Sequence, residues 1–338
     1  MSSLQQRKED HIRVVLEDTA VDRRQSGLEQ IRLMHRALPE LDYDAVDPRC
    51  TFLDYTLSFP FLISSMTGGQ GDALGRINRH LAEAAEAMGV AMAVGSQRIM
   101  LAHPEAAESF RLRRYAPSVP LIANLGAVQL NEGITLDDID RIVDTLEADA
   151  LYLHLNPLQE VIQPEGDRNF AGLADKIAEV TDYLPIPVIL KEVGCGLSPA
   201  DIELGLQAGV RYFDVAGRGG TSWSRIEAHR SDDDLGITFQ DWGLTTLEAL
   251  QLARPYRERA HLIASGGLRS GVDLYKCVIM GSFMCGVAGP LLQAATESTE
   301  AVIQVIERFY REYRTAQFLT GAATFEQAYD NAQLILRA

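Results

Sequence analysis

Eight short apolar runs recur along the chain about every thirty residues, and that rhythm constrains the fold more than any other feature. They are Phe59–Ser64, Val90–Val94, Leu121–Leu125, Ala150–Leu155, Pro187–Lys191, Arg211–Val215, His261–Ser265 and Phe283–Val287. Each is nearly continuous in apolar residues rather than alternating. Strands covered on both faces read this way.

Helical patterns separate the runs. Thr135 can cap a helix carrying Asp137 and Asp138 in its first turn, with Ile139, Ile142, Val143 and Leu146 following at helical spacing. Ser198-Pro199-Ala200-Asp201 is a second start, with a cap, a proline at the first helical position and an acid for the dipole. Eight strands alternating with helices predict a (β/α)8 TIM barrel as one domain. The count and the lack of an early GxGxxG disfavour a doubly wound open sheet. Residues 1–55 are expected to form an N-terminal helical extension that contributes to the substrate site, and 297–338 a closing helix and tail.

The net charge of −16 excludes a global nucleic-acid surface. An anionic substrate would need local arginine and lysine to attract it against the overall field. Four cysteines without a CxxC pair read as reduced thiols, and the N-terminus lacks an apolar leader, so a cytoplasmic protein is expected. Cys277–Thr296 is twenty residues without a charge, long enough for a bilayer. Its Gly-Val-Ala-Gly-Pro break reads better as strand, turn and helix start.

In such a barrel the active site lies beyond the C-terminal strand ends. These read Ser64-Ser65-Met66-Thr67, Gly95-Ser96-Gln97-Arg98, Asn124-Leu125-Gly126, Lys191-Glu192-Val193-Gly194, Ala216-Gly217-Arg218-Gly219-Gly220-Thr221, Gly266-Gly267-Leu268-Arg269 and Ala288-Gly289-Pro290. The fourth ending is the richest, running from His154 through Asn156, Gln159 and Glu160. So many polar endings argue for one shared pocket. The seventh and eighth suit a phosphate, because glycines let backbone N–H groups approach an oxyanion. Read alone, each is also an ordinary tight turn.

Lys191 ends an apolar strand, and a buried cation needs an electron-rich partner. The edge of a reduced flavin would suit it, as would an internal salt bridge to Glu192 or Asp214. His154 and Asn156 should point the same way, with Gln159 and Glu160 on a loop above the mouth. A carboxylate among amides can hold Mg²⁺, or the stretch can be a hydrogen-bonded strand cap. Arg7, Lys8 and His11, with Arg98, would supply local positive charge if the extension folds over the mouth.

Read together, RKEDHI (Arg7–Ile12), SSMTGG (Ser64–Gly69), GSQR (Gly95–Arg98), NLGA (Asn124–Ala127), HLNPLQE (His154–Glu160), QPEGDRNF (Gln163–Phe170), LKEVG (Leu190–Gly194), GRGGTSW (Gly217–Trp223) and ASGGLR (Ala264–Arg269) resemble type 2 isopentenyl diphosphate isomerase. The resemblance covers nearly the whole chain. It implies an FMN-binding barrel in which Ser65, Met66, Thr67, Ser96, Asn124, Lys191, Thr221, Gly267, Leu268, Arg269, Ala288 and Gly289 contact the cofactor. It implies substrate contacts from Arg7, Lys8, His11, Ser96, Gln97, Arg98, Asn156 and Gln159, with Glu160 as Mg²⁺ ligand. Gln159, His154 and Lys191 are the expected catalytic group, and flavin N5 the principal acid/base. NAD(P)H is the implied reductant, and the implied assembly a homotetramer or homo-octamer. Ala216 departs from the family, where a flavin-contacting serine is common.

Two rival readings are an FMN-dependent α-hydroxy-acid oxidase and a non-catalytic flavin- or phosphate-binding barrel. The oxidase needs a histidine after the sixth strand, and Ala216–Thr221 has none. Simple binding would not require the carboxylate and amides of HLNPLQE.

Overall fold

The computed structural model describes residues 11–336 other than 12, 16, 67–70 and 232. Eight parallel strands close into a barrel: β1 (Phe61–Ile63), β2 (Ala91–Ala93), β3 (Leu121–Gly126), β4 (Ala150–Leu155), β5 (Val188–Glu192), β6 (Tyr212–Asp214), β7 (His261–Ser265) and β8 (Met284–Val287). Each arises from one of the eight apolar runs. β3 and β5 run one residue further than the apolar pattern, to Gly126 and Glu192, while β1, β2 and β6 are trimmed at both ends.

The helices begin where capping chemistry places them. Thr135 and Asp138 form a capping box on Leu136–Leu146, and Ser198 and Asp201 form one on Pro199–Gln207. Their buried residues, Ile139, Ile142, Leu146, Ile202 and Leu206, lie on the faces expected. The uncharged stretch 277–296 folds as a helix end, β8 and the start of helix Gly289–Glu297. No described helix is long and apolar enough to cross a membrane.

Residues ahead of the barrel are helical at 11, 13–15 and 17, then carry three short 3₁₀ turns. A hairpin the sequence reading missed, Cys50–Phe52 with Tyr55–Leu57, follows. Its two-residue turn, Leu53-Asp54, has both φ values positive, at 48° and 65°. That is the geometry of the favoured hairpin turn without its usual Asn-Gly signature. The hairpin places Phe52 against Tyr212 and Phe283, with ring centroids 6.1 and 6.5 Å away. Both partners lie at the start of their strands, so Phe52 packs at the N-terminal end of the barrel.

Register sets the interior. Gly126, His154, Lys191 and Asp214 are successive partners across β3, β4, β5 and β6. Side chains of paired residues share a face, so the last three stand at one level. Tyr152, two residues before His154, donates to Asp214 Oδ2 at 2.9 Å across β5, which makes this face the interior.

Phe52 is 1% exposed and closes the apolar end. Phe52→Ala should cost about 3–5 kcal/mol of unfolding free energy in urea. Flavin content should be unchanged, because the opposite end of the barrel is untouched.

Candidate active site

At the C-terminal end of the barrel, His154 and Lys191 stand in one row with a buried carboxylate, Asp214. Asp214 is fully buried and receives Tyr152, Ser265 Oγ at 2.5 Å and the Ala216 N–H at 3.2 Å. Lys191 Nζ stands 3.9 Å from Asp214 and donates to the Glu192 carbonyl at 2.8 Å. One of its three N–H groups is thereby occupied, and no other acceptor for it is found among the described residues.

The Glu192 carboxylate turns away from Lys191. Its Oε2 takes the N–H groups of Val193, Gly194, Cys195 and Gly196. Burial pushes this carboxyl up to about 7, against the pull of those donors and of Lys191.

His154 Nδ1 lies 2.7 Å from Asn124 Oδ1. The Asn124 amide nitrogen donates to Ser65 Oγ at 2.8 Å and to the Val94 carbonyl at 3.0 Å, which fixes Oδ1 as acceptor. His154 therefore carries a proton on Nδ1, and Nε2 is turned away from this contact. Gln97 supports the arrangement from behind. It is fully buried, accepts the Asn124 N–H at 3.1 Å and donates to the Ile142 carbonyl at 3.0 Å. Its amide belongs to the barrel wall rather than to the mouth.

Gln159 and Glu160 stand on a short helix, Pro157–Ile162, rather than on a loop, with Asn156 at its N-terminus. Asn156 Nδ2 reaches Glu160 Oε1 at 2.8 Å and Gln159 Oε1 at 3.2 Å. Glu160 Oε2 accepts the Asp167 N–H at 2.8 Å, and Asp167 holds Arg98 at 2.7 Å. Gln159 Nε2 donates to Glu227 at 2.9 Å.

Glu227 was missed in the sequence reading. It is fully buried on helix Trp223–Ala228, 3.0 Å from His11 Nε2 and 2.7 Å from Arg230. Burial alone would raise its pKa, but His11, Gln159 and Arg230 together hold it below the usual range. The only sequence signal was the i, i+3 spacing of Glu227 and Arg230 within SRIEAHR. His11 also stands edge-on to Trp223 at 5.3 Å, so the extension does reach the mouth. Arg7, Lys8 and Thr67 lie outside the described residues. Ser96 and Met66 are half-buried after β2 and β1.

The candidate phosphate cradle is built from glycine backbone. Gly266 and Gly267 have φ of 102° and 78°, and a Cβ at either would collide with the Gly217 or Gly219 carbonyl. The N–H groups of Gly267 and Leu268 find no acceptor among the described residues. Gly289 opens a nine-residue helix after the adjacent β8, with nothing near its Cβ position. Arg269 stands at the same loops. Its guanidinium pairs with Asp22 and donates to Gly267 O at 2.7 Å and Gly219 O at 2.8 Å, so it braces the cradle. Arg23 braces the same loops from the extension, donating to the carbonyls of Gly194 at 2.7 Å, Thr221 at 2.9 Å and Gly220 at 3.2 Å. Thr221 is thereby fixed through its backbone.

A closed barrel with this cradle and a buried lysine is the construction of FMN-dependent barrel enzymes. Residues 127–334 match the family described as FMN-dependent dehydrogenase. The structure is similar to a Pediococcus acidilactici (putative) lactate oxidase, with a TM-score of 0.70 and 16% identity over 100% of this chain and 96% of that one. It is also similar to a mutant flavocytochrome b2 with benzoylformate, at 0.70 and 18% over 93% and 79%. At those identities the likeness is one of fold.

Sequence relatives narrow the class. The isopentenyl-diphosphate delta-isomerase of Hydrogenovibrio crunogenus (strain DSM 25203 / XCL-2) is 59% identical over 99% of both chains. That of Paracoccus zeaxanthinifaciens is 58% identical over 97% of this chain and 96% of the relative. The chain belongs to the type 2, FMN-dependent isopentenyl-diphosphate isomerase family.

The residues present fit the cofactor: unpartnered N–H groups lie at the cradle among the described residues, and Lys191 and Asn124 stand at other strand ends of the same barrel mouth. The Glu192 carboxyl supplies a stability test. Its pKa in the fold, about 7, lies above the ordinary 4.5, so the native state holds a proton that the unfolded chain releases between those values. Stability should fall as pH rises from 4.5 to 7 and level off above. Relative to wild type, Glu192→Gln should lessen that fall by up to about 3 kcal/mol, read from urea midpoints across the window.

Proposed function

We propose that the chain interconverts isopentenyl and dimethylallyl diphosphate with bound reduced FMN and Mg²⁺, with no net redox change. NAD(P)H reduces the flavin. The protein acts in the cytoplasm as a homotetramer or homo-octamer. The observation that carries the reading is the network at the head of β4. There Asn156, Gln159 and Glu160 are tied to one another, to Glu227 and to His11, directly above the His154–Lys191 row.

The reaction adds a proton at C4 of the alkene and removes one from C2, through a species with tertiary positive charge. FMN, when bound and reduced, supplies an electron-rich ring that favours such charge. The chain's own residues do the remainder. Lys191 presents its remaining N–H groups to the electron-rich edge of a ligand. Asn124 holds His154 in a single tautomer with Nε2 turned from the contact. Gln159, anchored by Glu227, orients the substrate. An amide is a poor base, so it does not carry the proton alone.

Arg98 and His11, with Arg7 and Lys8, hold the diphosphate. For Mg²⁺, Glu160 offers one carboxylate rather than a cage. No three His, Cys, Asp or Glu side chains cluster to hold a metal among the described residues. Beside it, Asn156 Oδ1 is buried without a partner there. Glu160 and the Asn156 amide oxygen would hold a hydrated Mg²⁺ there, which would supply positive charge for the diphosphate.

The test is an anaerobic assay with FMN reduced by NADPH or dithionite, Mg²⁺ and isopentenyl diphosphate, following dimethylallyl diphosphate. Turnover only with reduced flavin, without stoichiometric NADPH consumption, is expected. A flavin-loaded protein that converts nothing would overturn the reading. Gln159→Asn should lower kcat about 100-fold through misplacement by one methylene, at unchanged FMN content. Glu160→Gln should raise the Mg²⁺ concentration for half-maximal rate about tenfold or more, and an unshifted metal titration would remove its assignment.

A further inference from the structure

Two surfaces outside the mouth network, one of them beside the helix that carries Glu227, are opposite in charge. One is a groove of about 650 Å³ between the extension and the closing helix Thr299–Thr320. Leu33, Val272 and Leu319 form its apolar wall, and Arg308 and Arg311 its rim. Its acid, Glu312, is already engaged by the Gly271 N–H at 2.7 Å. Arg311 has no ion-pair partner among the described residues, and Arg32 and Arg36 stand exposed on the segment that forms the other bank. Exposed Leu38, at 73%, extends that bank. Arg308 stands 3.8 Å from Glu312, but in a chain of net charge −16 the concentration of arginine here is still a local reversal of sign.

The other surface is the segment 231–242 after β6. It holds four aspartates and no basic residue. Among the described residues, neither Asp234 nor Asp241 has an ion-pair partner. Between them Leu235 and Ile237 are 39% and 37% exposed, and Trp242 is 61% exposed. Exposed tryptophan and arginine are the residues that most often anchor interfaces. Apolar side chains ringed by unpaired charge mark a docking surface rather than a solvated loop.

We infer that the acidic, tryptophan-bearing segment 231–242 of one copy docks into the arginine-rimmed groove of a second copy. The surfaces are different patches of the same molecule, so the contact is head-to-tail, and repetition closes it into a ring. Opposite charge brings the segment to the groove, and Trp242 with Leu235 covers its apolar wall. The inference names the surface for the oligomer proposed above and does not depend on the reaction catalysed.

The test compares wild type, Trp242→Ala and Arg311→Glu by native mass spectrometry at micromolar protein, with FMN content as the control for folding. Wild type should be a ring, and each variant should fall to a species no larger than a dimer. Mixing the two variants should form complexes containing both, because the Trp242 variant keeps its groove and the Arg311 variant keeps its segment. An oligomer unchanged in either variant, or variants that do not combine on mixing, would overturn the segment-to-groove contact while leaving the oligomer standing. A monomeric wild type would overturn both.

Discussion

Asp214 is the constraint around which the mouth is organised. A carboxylate in a barrel interior costs several kcal/mol unless donors surround it. Here Tyr152, Ser265 and the Ala216 N–H do so, and Lys191 stands opposite in charge. The donors come from two strands and a strand end, so the carboxylate ties their relative positions beyond what the backbone ladder does. Lys191 is left only partly occupied at this level of the mouth. A hydrocarbon interior of the same shape would serve stability equally well, but could not present an ammonium there.

The acidity of the chain creates a second problem, because a net charge of −16 repels a diphosphate. The structure answers it locally. The described arginines of this network are met by carboxylates that orient them: Arg98 by Asp167, and Arg230 by Glu227, which also meets His11. Such pairs give up net positive charge in exchange for fixed direction. They also link the two sides of the mouth, since Glu227 touches both the extension and Gln159.

What the sequence revealed and what it hid divide by range. The strands were legible because continuous apolar runs are local, and so were the caps at Thr135 and Ser198, whose partners lie three residues away. The HLNPLQE cluster was legible for the same reason. Glu227 was not, because its meaning comes from His11 and Gln159, both remote in sequence. Arg23 was unseen, and so was the bracing role of Arg269, because backbone carbonyls, which no side-chain pattern reports, are among their partners. The hairpin escaped because Leu53-Asp54 adopts positive φ without glycine or asparagine.

The fold likeness to lactate oxidase and flavocytochrome b2 shows how little of the chemistry the barrel decides. Barrel, cradle and bracing would serve any flavin enzyme of this class. The distinction lies in what each strand end adds. After β6 the turn Ala216–Thr221 carries no histidine to act as a base on a hydroxy acid. Ala216 there holds a φ of 36°, and its N–H serves Asp214 instead of a ligand. After β4 the chain adds the linked amide and carboxylate groups of Asn156, Gln159 and Glu160. One ending has been emptied of reactive groups and another filled, so reactivity moves across the mouth while the scaffold stays fixed. A fold comparison alone would therefore have pointed to oxidation, and the residues at the strand ends point to a shift of a double bond.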